Sequence, residues 1–214
     1  MVLLLSFSLI PEKSSAQQAI SGVINQYYRI TETATECQQF IIIDSTAQLN
    51  PHQLILIHQV QGSVVDSSNS PSSGQIISLN NVGKWEFNRV MFQNNDTVFL
   101  ARPLQNTYAA LHSQLITVPE YNTVQTQETV EAKPWDGFTG GILALVADTL
   151  ILNDTISARG SGFRGGKTFL GPETINDSTY LIDCNSTHAN GMKGEGVAGS
   201  YSRVCARGAW GNGG

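Results

Sequence analysis

The chain has 214 residues with a formal net charge of −5, and 14% of its residues are charged whereas 41% are hydrophobic. This composition is typical of a folded, β-rich extracellular protein and excludes a disordered chain. The negative charge argues against nucleic acid or an anionic membrane as the partner.

The N-terminus predicts an export signal. An apolar run at residues 2–10 precedes the more polar sequence PEKSSA, so we expect cleavage after Ala16. The run is too short to span a bilayer, which takes about 20 apolar residues. No Lys or Arg precedes it, which favours a true start further upstream, and a buried N-terminal strand is the alternative. We predict a signal peptide over residues 1–16, a secreted or cell-surface location, and no integral membrane segment in the mature chain.

The next part of the chain is a series of short strand-like runs. β-branched and aromatic residues alternate with turn sequences such as LNPH, DSSNSPSSG and NNVG. Their spacing predicts a small antiparallel β-barrel or sandwich over residues 17–131. Residues 106–115 allow one helical turn. The predicted strands are residues 23–31, 40–44, 53–60, 75–79, 84–91 and 97–101.

The sequence changes character near Pro134 and Trp135. Of the 20 glycines, 16 lie between Gly137 and Gly214. Short aliphatic runs at 142–146, 150–152 and 156–158 are separated by polar Asp-Thr corners. Such runs stack as coils, so residues 132–214 predict the start of a Gly-rich β-solenoid of the right-handed β-helix type. Because the glycine density climbs toward the final GAWGNGG, we expect a truncated chain whose solenoid continues.

Several segments together resemble a known group of proteins. They are residues 24–31, 54–62, 83–90, 95–108 and 134–166. They are similar to the N-terminal region of large, adhesin-like surface proteins of Bacteroidetes, which are exported by type IX secretion and often end in a gliding-motility-associated C-terminal domain. That sorting domain is absent from this sequence, and no catalytic signature accompanies the resemblance. It implies a surface location and a role in adhesion.

The resemblance also implies modification sites. Bacteroidetes O-glycosylate exported proteins at Asp followed by Ser or Thr and then an aliphatic residue or Thr. Chance matches are the alternative in a Thr-rich β protein. The candidate O-glycosylation sites are Ser45, Thr97, Thr149, Thr155 and Ser178.

The three cysteines suit an oxidising compartment. Cys184 and Cys205 flank a loop rich in Gly, Ser and Asn, so we predict a disulfide between them, which would stabilise the fold by about 3 kcal/mol. Three buried, unpaired thiols are the alternative, and the state of Cys37 stays open. The cysteines lack zinc-site spacing, so we predict no metal and no cofactor.

The remaining motifs carry little chemistry. Residues 160–165 match GxGxxG, but Gly171 and Pro172 prevent the helix that a phosphate site requires, so we interpret the motif as tight turns. The histidines are scattered through different predicted elements. Glycosidases use carboxylates about 5–10 Å apart. Asp148 and Asp154 reach that spacing if one coil separates them, although capping of turns is the usual role of Asp before Thr, and calcium binding is a further alternative.

The sequence therefore predicts a non-catalytic, secreted, adhesin-like surface module that binds surface glycans or neighbouring cells. Two alternatives stay open. One is the N-terminal part of a carbohydrate-active β-helix enzyme, and the other is a passive structural spacer. The identity of the ligand and the oligomeric state do not follow from the sequence.

Overall fold

The computed structural model describes residues 18–46, 48–165 and 194–198. In these ranges the regular structure consists of strands without helices, which confirms the all-β prediction. Accordingly, no described segment is a helix able to cross a bilayer. The predicted signal peptide lies outside the described residues. The strands are β1 (Gln18–Val23), β2 (Tyr27–Arg29), β3 (Phe40–Ile42), β4 (Leu54–Gln59), β5 (Val64–Val65), β6 (Ile76–Ser78), β7 (Trp85–Asn94), β8 (Thr97–Leu100), β9 (Ser113–Thr117), β10 (Glu120–Glu131), β11 (Val146–Ile151) and β12 (Ile156–Ser157).

Six strands form an antiparallel sheet in the order β2-β9-β4-β7-β8-β3. The sheet curls until its two edge strands meet at a bridge between Ile30 and Ile43. Its inner face encloses a core in which Ile55, Ile57 and Leu115 are fully buried. A small hairpin of β5 and β6 carries the Ser-rich loop beside this sheet. Because one face of each strand packs into this core, the alternate side chains point outward from the sheet.

Strand β7 shows that outward direction most clearly. Glu86, Asn88 and Val90 are buried, whereas Trp85 and Phe87 are exposed, as expected for the two-residue period of a strand. The pairing with β8 skips one residue between Val90 and Phe92, which is a β-bulge. The bulge shifts the alternation by one residue, so that the ring of Phe92 is also exposed.

The second sheet is parallel. Strand β1 pairs with β10, and β10 pairs with β11 and then with β12. Its core contains Ile20, Val124 and Val130. Because β1 and β10 are neighbours in this sheet, residues 24–119 form an insertion between two adjacent parallel strands. The predicted domain boundary at residue 131 had placed both strands in the antiparallel part. Both strands belong to the parallel sheet, whose pairing joins segments that are far apart in the chain, and the domain boundary itself stays a prediction.

The aliphatic run at residues 142–146, predicted as part of a coil, begins between the two sheets, and residues 142–145 belong to neither. Ile142 and Ala144 pack on the outer face of the antiparallel sheet, and Leu143 and Leu145 pack on the core of the parallel sheet. Both faces are therefore covered, as the apolar sequence requires. The structure assigns the regular strand to β11 (Val146–Ile151) instead.

The backbone of this segment and of Gly140 before it forms hydrogen bonds with polar side chains instead of with a neighbouring strand. Asn25 donates from Nδ2 to the Ala144 carbonyl oxygen at 2.6 Å and accepts from the Ala144 N–H at 3.1 Å. The Tyr27 hydroxyl donates to the Ile142 carbonyl at 2.5 Å. Gln114 binds both backbone groups of Gly140. These contacts satisfy a buried backbone that has no ladder partner.

The two Asp-Thr units differ in the structure. Asp148 and Thr149 lie inside β11, so the prediction of a corner at this place is wrong. Asp154 does lie in the turn between β11 and β12. There the Thr126 hydroxyl accepts from the Asp154 N–H at 2.7 Å, and the Asp154 carboxylate accepts from the Thr155 N–H at 2.5 Å. Asp154 therefore has the turn-capping role expected for its type.

Candidate functional site

Five aromatic rings lie on the outer side of the antiparallel sheet, and we name them the aromatic face. The exposed fractions are 58% for Trp85, 46% for Phe92, 40% for Phe87 and 38% for Phe40. Large apolar side chains grouped on a surface mark an interaction site, whereas single ones are common. The members of the aromatic face are Phe40 on β3, Trp85, Phe87 and Phe92 on β7, and Phe99 on β8.

At one end of the aromatic face Trp85 and Phe87 form an open corner. Their ring centroids are 5.6 Å apart and their planes cross at 74°, an edge-to-face arrangement. Such a pair holds both rings in place while most of the indole stays accessible. The corner is therefore a rigid apolar surface that a flat ligand can contact without ordering flexible side chains.

At the other end three phenylalanine rings pack side by side across β7, β8 and β3. Phe92 and Phe99 stack with centroids 4.2 Å apart at 14°, and Phe40 lies 6.1 Å from Phe99. Phe99 is thus flanked on both sides. The ring of Phe92 keeps one free side, which is the part of this cluster that is available for a ligand.

An ion pair lies between the two clusters. Arg89 donates to both carboxylate oxygens of Glu120, from Nη2 at 2.6 Å and from Nη1 at 2.7 Å, and Nη1 also donates to the His52 carbonyl at 2.8 Å. The hydrogen bond from Arg89 lowers the pKa of Glu120, and the same bond raises the pKa of Arg89. The centre of the aromatic face is therefore polar but electrically neutral.

Two concavities lie beside the Trp85 end of the face. A pocket of about 310 Å³ is bounded by Trp135 and Phe163, and a groove of about 550 Å³ runs between Trp85 and Leu150. His58 lines both of them. Burial lowers the pKa of His58, and its Nδ1 has no hydrogen-bond partner among the described residues. A neutral imidazole is thus the polar group that the two concavities share.

Most other polar groups around the pocket are already occupied. Gln59 donates to the carbonyls of Gln61 and Asn80 and accepts from the Ala109 N–H. The Gln114 amide is held by Gly140. These side chains therefore stabilise the fold.

The residues predicted as sites are not brought together by the structure. Thr149 and Thr155 are exposed, and Ser45 and Thr97 are half-buried. Their O-glycosylation stays a prediction. Ser178 and both members of the predicted disulfide, Cys184 and Cys205, lie outside the described residues, and Cys37 is exposed. Within the described part of the chain no group of three His, Cys, Asp or Glu side chains is placed to hold a metal ion.

The aromatic face was not predicted from the sequence. The signal was present in β7, where polar and aromatic residues alternate. Glu86 and Asn88 occupy the buried positions because each binds backbone groups of the loop that follows β8. The Glu86 carboxylate accepts from the Gln105 N–H at 3.0 Å, and Asn88 donates to the Arg102 carbonyl at 2.9 Å. Trp85 and Phe87 are therefore left on the outside.

No protein-family model and no curated protein sequence matches the chain. Among solved structures it is similar to the tailspike gp61 of Pseudomonas phage phi297, with 10% identity over 60% of this chain and 18% of that one, at a TM-score of 0.34. The tailspike gp49 of Pseudomonas phage LKA1 gives 13% identity over 64% of this chain and 23% of that one, at a TM-score of 0.30.

A third similar structure is the Gp54 tailspike of Acinetobacter baumannii bacteriophage AP22, solved in complex with A. baumannii capsular saccharide. It gives 13% identity over 62% of this chain and 21% of that one, at a TM-score of 0.32. The chain thus spans about a fifth of the length of these tailspikes. At such TM-scores the similarity carries no argument about function.

Proposed function

We propose that the chain is a non-catalytic surface module that binds carbohydrate on its aromatic face. The exposure of Trp85, Phe87 and Phe92 on one side of β7 is the observation that carries this proposal. The C–H side of a sugar ring is apolar and packs against an aromatic ring, while its hydroxyl groups stay in water or bind polar neighbours. Rigid aromatic rings supply such contact area at a low cost in conformational entropy.

The location and mounting of the module belong to the same proposal. The parallel strands β1, β10, β11 and β12 would be the first coils of a β-solenoid that carries the antiparallel sheet. The apolar run at residues 2–10 and the resemblance to Bacteroidetes surface proteins favour export to the cell surface. Ligands would then be surface glycans of the same or of neighbouring cells.

The roles of the nearby carboxylates favour binding over catalysis. Glycoside hydrolysis takes two carboxyl groups on opposite sides of the scissile bond. Glu120 is paired with Arg89, and buried Glu86 accepts from the Gln105 N–H. Asp154 caps its own turn. Each of these groups thus has a structural partner in the described part of the chain.

A glycan array probed with the purified chain tests the proposal. We expect binding that Trp85→Ala weakens at least about tenfold, because that ring is the most exposed of the face and a tenfold loss is about 1.4 kcal/mol. Ile77→Ala is the control, since Ile77 is 68% exposed but lies on β6, outside the aromatic face. Equal losses in both variants would refute the proposal.

The alternatives give different results in the same experiment. A passive spacer shows no binding to any glycan. A carbohydrate-active enzyme releases new reducing ends from a bound polysaccharide, which a reducing-sugar assay detects. Either result would replace the proposed function.

A further inference from the structure

We propose that the aromatic face binds the interior of an extended, equatorially linked polysaccharide laid along β7, and that it contacts at least about four consecutive sugar units. This inference rests on the proposed carbohydrate-binding function and specifies the shape and length of the ligand. Three features of the face support it: the distance between its two clusters, their position along one strand, and the polar pair at the centre.

The distance follows from the strand itself. Trp85 and Phe92 lie in one strand, with a single bulged residue between Val90 and Phe92. At about 3.3 Å per residue, less the bulge, the two rings are roughly 20 Å apart, which is about the length of four pyranose rings in an extended chain. A monosaccharide or disaccharide reaches only one of the two clusters.

The position of both clusters along one strand selects the type of linkage. Both clusters lie on the outer side of the same sheet, and the line between them follows β7. Equatorial linkages, as in β-1,4-glucan or chitin, keep a sugar chain extended. Axial linkages, as in amylose, coil the chain and shorten its length per sugar. An extended chain therefore contacts Trp85 and Phe92 together, whereas a coiled chain loses one of them.

The centre of the face suits a hydroxyl-rich ligand better than an apolar one. Arg89 and Glu120 are 43% and 40% exposed and lie between the two aromatic clusters. Their remaining donor and acceptor positions face solvent, where sugar hydroxyls can replace water. A lipid or an apolar protein segment would have to desolvate this ion pair without replacing its water contacts, which is costly. The alternation of ring, polar pair and ring thus matches a carbohydrate chain.

Two-site contact predicts a steep dependence of affinity on chain length. Once one cluster holds a sugar, the second cluster meets the same chain at a high effective concentration, and such linkage raises affinity by 10²–10⁴. We therefore expect cellohexaose or chitohexaose to bind at least about 100-fold more tightly than its own disaccharide. Maltohexaose, which coils, should show no such gain over maltose.

Isothermal titration calorimetry of the full chain with these six sugars tests the inference. Trp85→Ala and Phe92→Leu should each reduce the hexasaccharide affinity to the disaccharide level, because one cluster remains, and the double variant should lose this remaining affinity as well. Phe92→Leu keeps an apolar side chain against Phe99. Its Tm should match that of wild type, which would show that weaker binding comes from the missing ring and not from unfolding. Ile77→Ala, on β6 outside the aromatic face, should bind the hexasaccharides as wild type does.

The inference is overturned if cellohexaose and chitohexaose both fail to bind, if neither binds more tightly than its disaccharide, or if maltohexaose gains as much. A hexasaccharide affinity in either single variant that stays well above the disaccharide level would also overturn it, because one remaining cluster cannot give linked binding. The array distinguishes these failures from failure of the proposed function. Binding of short or branched glycans on the array would refute the extended ligand and leave the carbohydrate module standing.

Discussion

Replacing Gln114 by Leu should destabilise the contact between strand β9 and the loop that contains Gly140. Gln114 is fully buried, and it donates from Nε2 to the Gly140 carbonyl at 3.0 Å and accepts from the Gly140 N–H at 2.9 Å. Leu has a similar volume but no polar atoms. The buried backbone groups of Gly140 would then have no partner, because no other hydrogen bond to them is present among the described residues.

The expected size of the effect follows from those two groups. A buried polar group left without a partner costs about 1–3 kcal/mol, so Gln114→Leu should lower the free energy of unfolding by about 3 kcal/mol. For a chain of this length that corresponds to a fall in Tm of roughly 6–12 °C. Urea denaturation and a thermal scan measure both. Gln127→Leu is the control, since Gln127 is exposed on β10, and we expect a change within about 0.5 kcal/mol.

Gln114→Glu gives a sharper test because its effect depends on pH. The ionised carboxylate can accept from the Gly140 N–H but repels the Gly140 carbonyl, so burial should raise the pKa of the introduced group. Only the protonated form donates to that carbonyl. Its stabilising contribution is therefore present below the unfolded pKa of about 4.3 and is lost as the pH rises through the raised folded value. A destabilisation that is the same at pH 4 and pH 8, or a Gln114→Leu variant as stable as wild type, would refute the reasoning.

Two further predictions concern the loop that Gln114 holds. Burial raises the pKa of Asp136, but hydrogen bonds from Lys133 and from the N–H groups of Thr139 and Phe138 outweigh it and hold the pKa at about 2, against 3.8 ordinarily. Because the carboxylate is 44% exposed, wild type should exceed Asp136→Asn in stability by only about 1 kcal/mol above pH 4, and the difference should vanish as the pH falls through 2. Denaturation at several pH values measures this, and a constant difference would contradict it. Gly140→Ala should cost more than about 2 kcal/mol, because its Cβ would lie 2.6 Å from the Pro134 carbonyl oxygen at a φ of +114°. Gly83 has a φ of +85° but open space around it, so Gly83→Ala should cost about 1 kcal/mol. Equal losses of Tm in the two variants would contradict the predicted clash at Gly140.

Local patterning was enough to predict several strands of the antiparallel sheet. β4 (Leu54–Gln59) and β8 (Thr97–Leu100) lie within the predicted runs 53–60 and 97–101. β8 is dominated by β-branched and aromatic residues and β4 begins with alternating Leu and Ile, so their own apolar sequence favours a strand. The curl of the sheet was not predictable, because it depends on contacts between distant strands.

Other elements depend on partners that the sequence does not reveal. Residues 23–31 were predicted as one strand, but the chain passes from one sheet to the other at Asn25. Asn25 is buried there because it bonds to the carbonyls of Thr117 and Ala144, which lie 92 and 119 residues away. β10 (Glu120–Glu131) was missed because most of its residues are polar and only Val124, Thr126 and Val130 are buried.

The candidate site escaped prediction for a related reason. Alternation in β7 defines two faces but does not say which of them is buried. Hydrophobicity alone places Trp85 and Phe87 inside the sheet. The loop after β8 reverses that choice, because its backbone is bound by Glu86 and Asn88 and so draws the polar face inward. Only the folded loop carries this information.

The insertion of the antiparallel sheet between β1 and β10 has a mechanical consequence. The two strands are side by side and share a parallel ladder from Gln18 to Val23. When the chain is pulled, tension passes directly from β1 to β10 through these hydrogen bonds, which are loaded together in shear. The inserted residues 24–119 lie outside this load path. We therefore expect the aromatic face on this insertion to stay undistorted until the ladder itself ruptures.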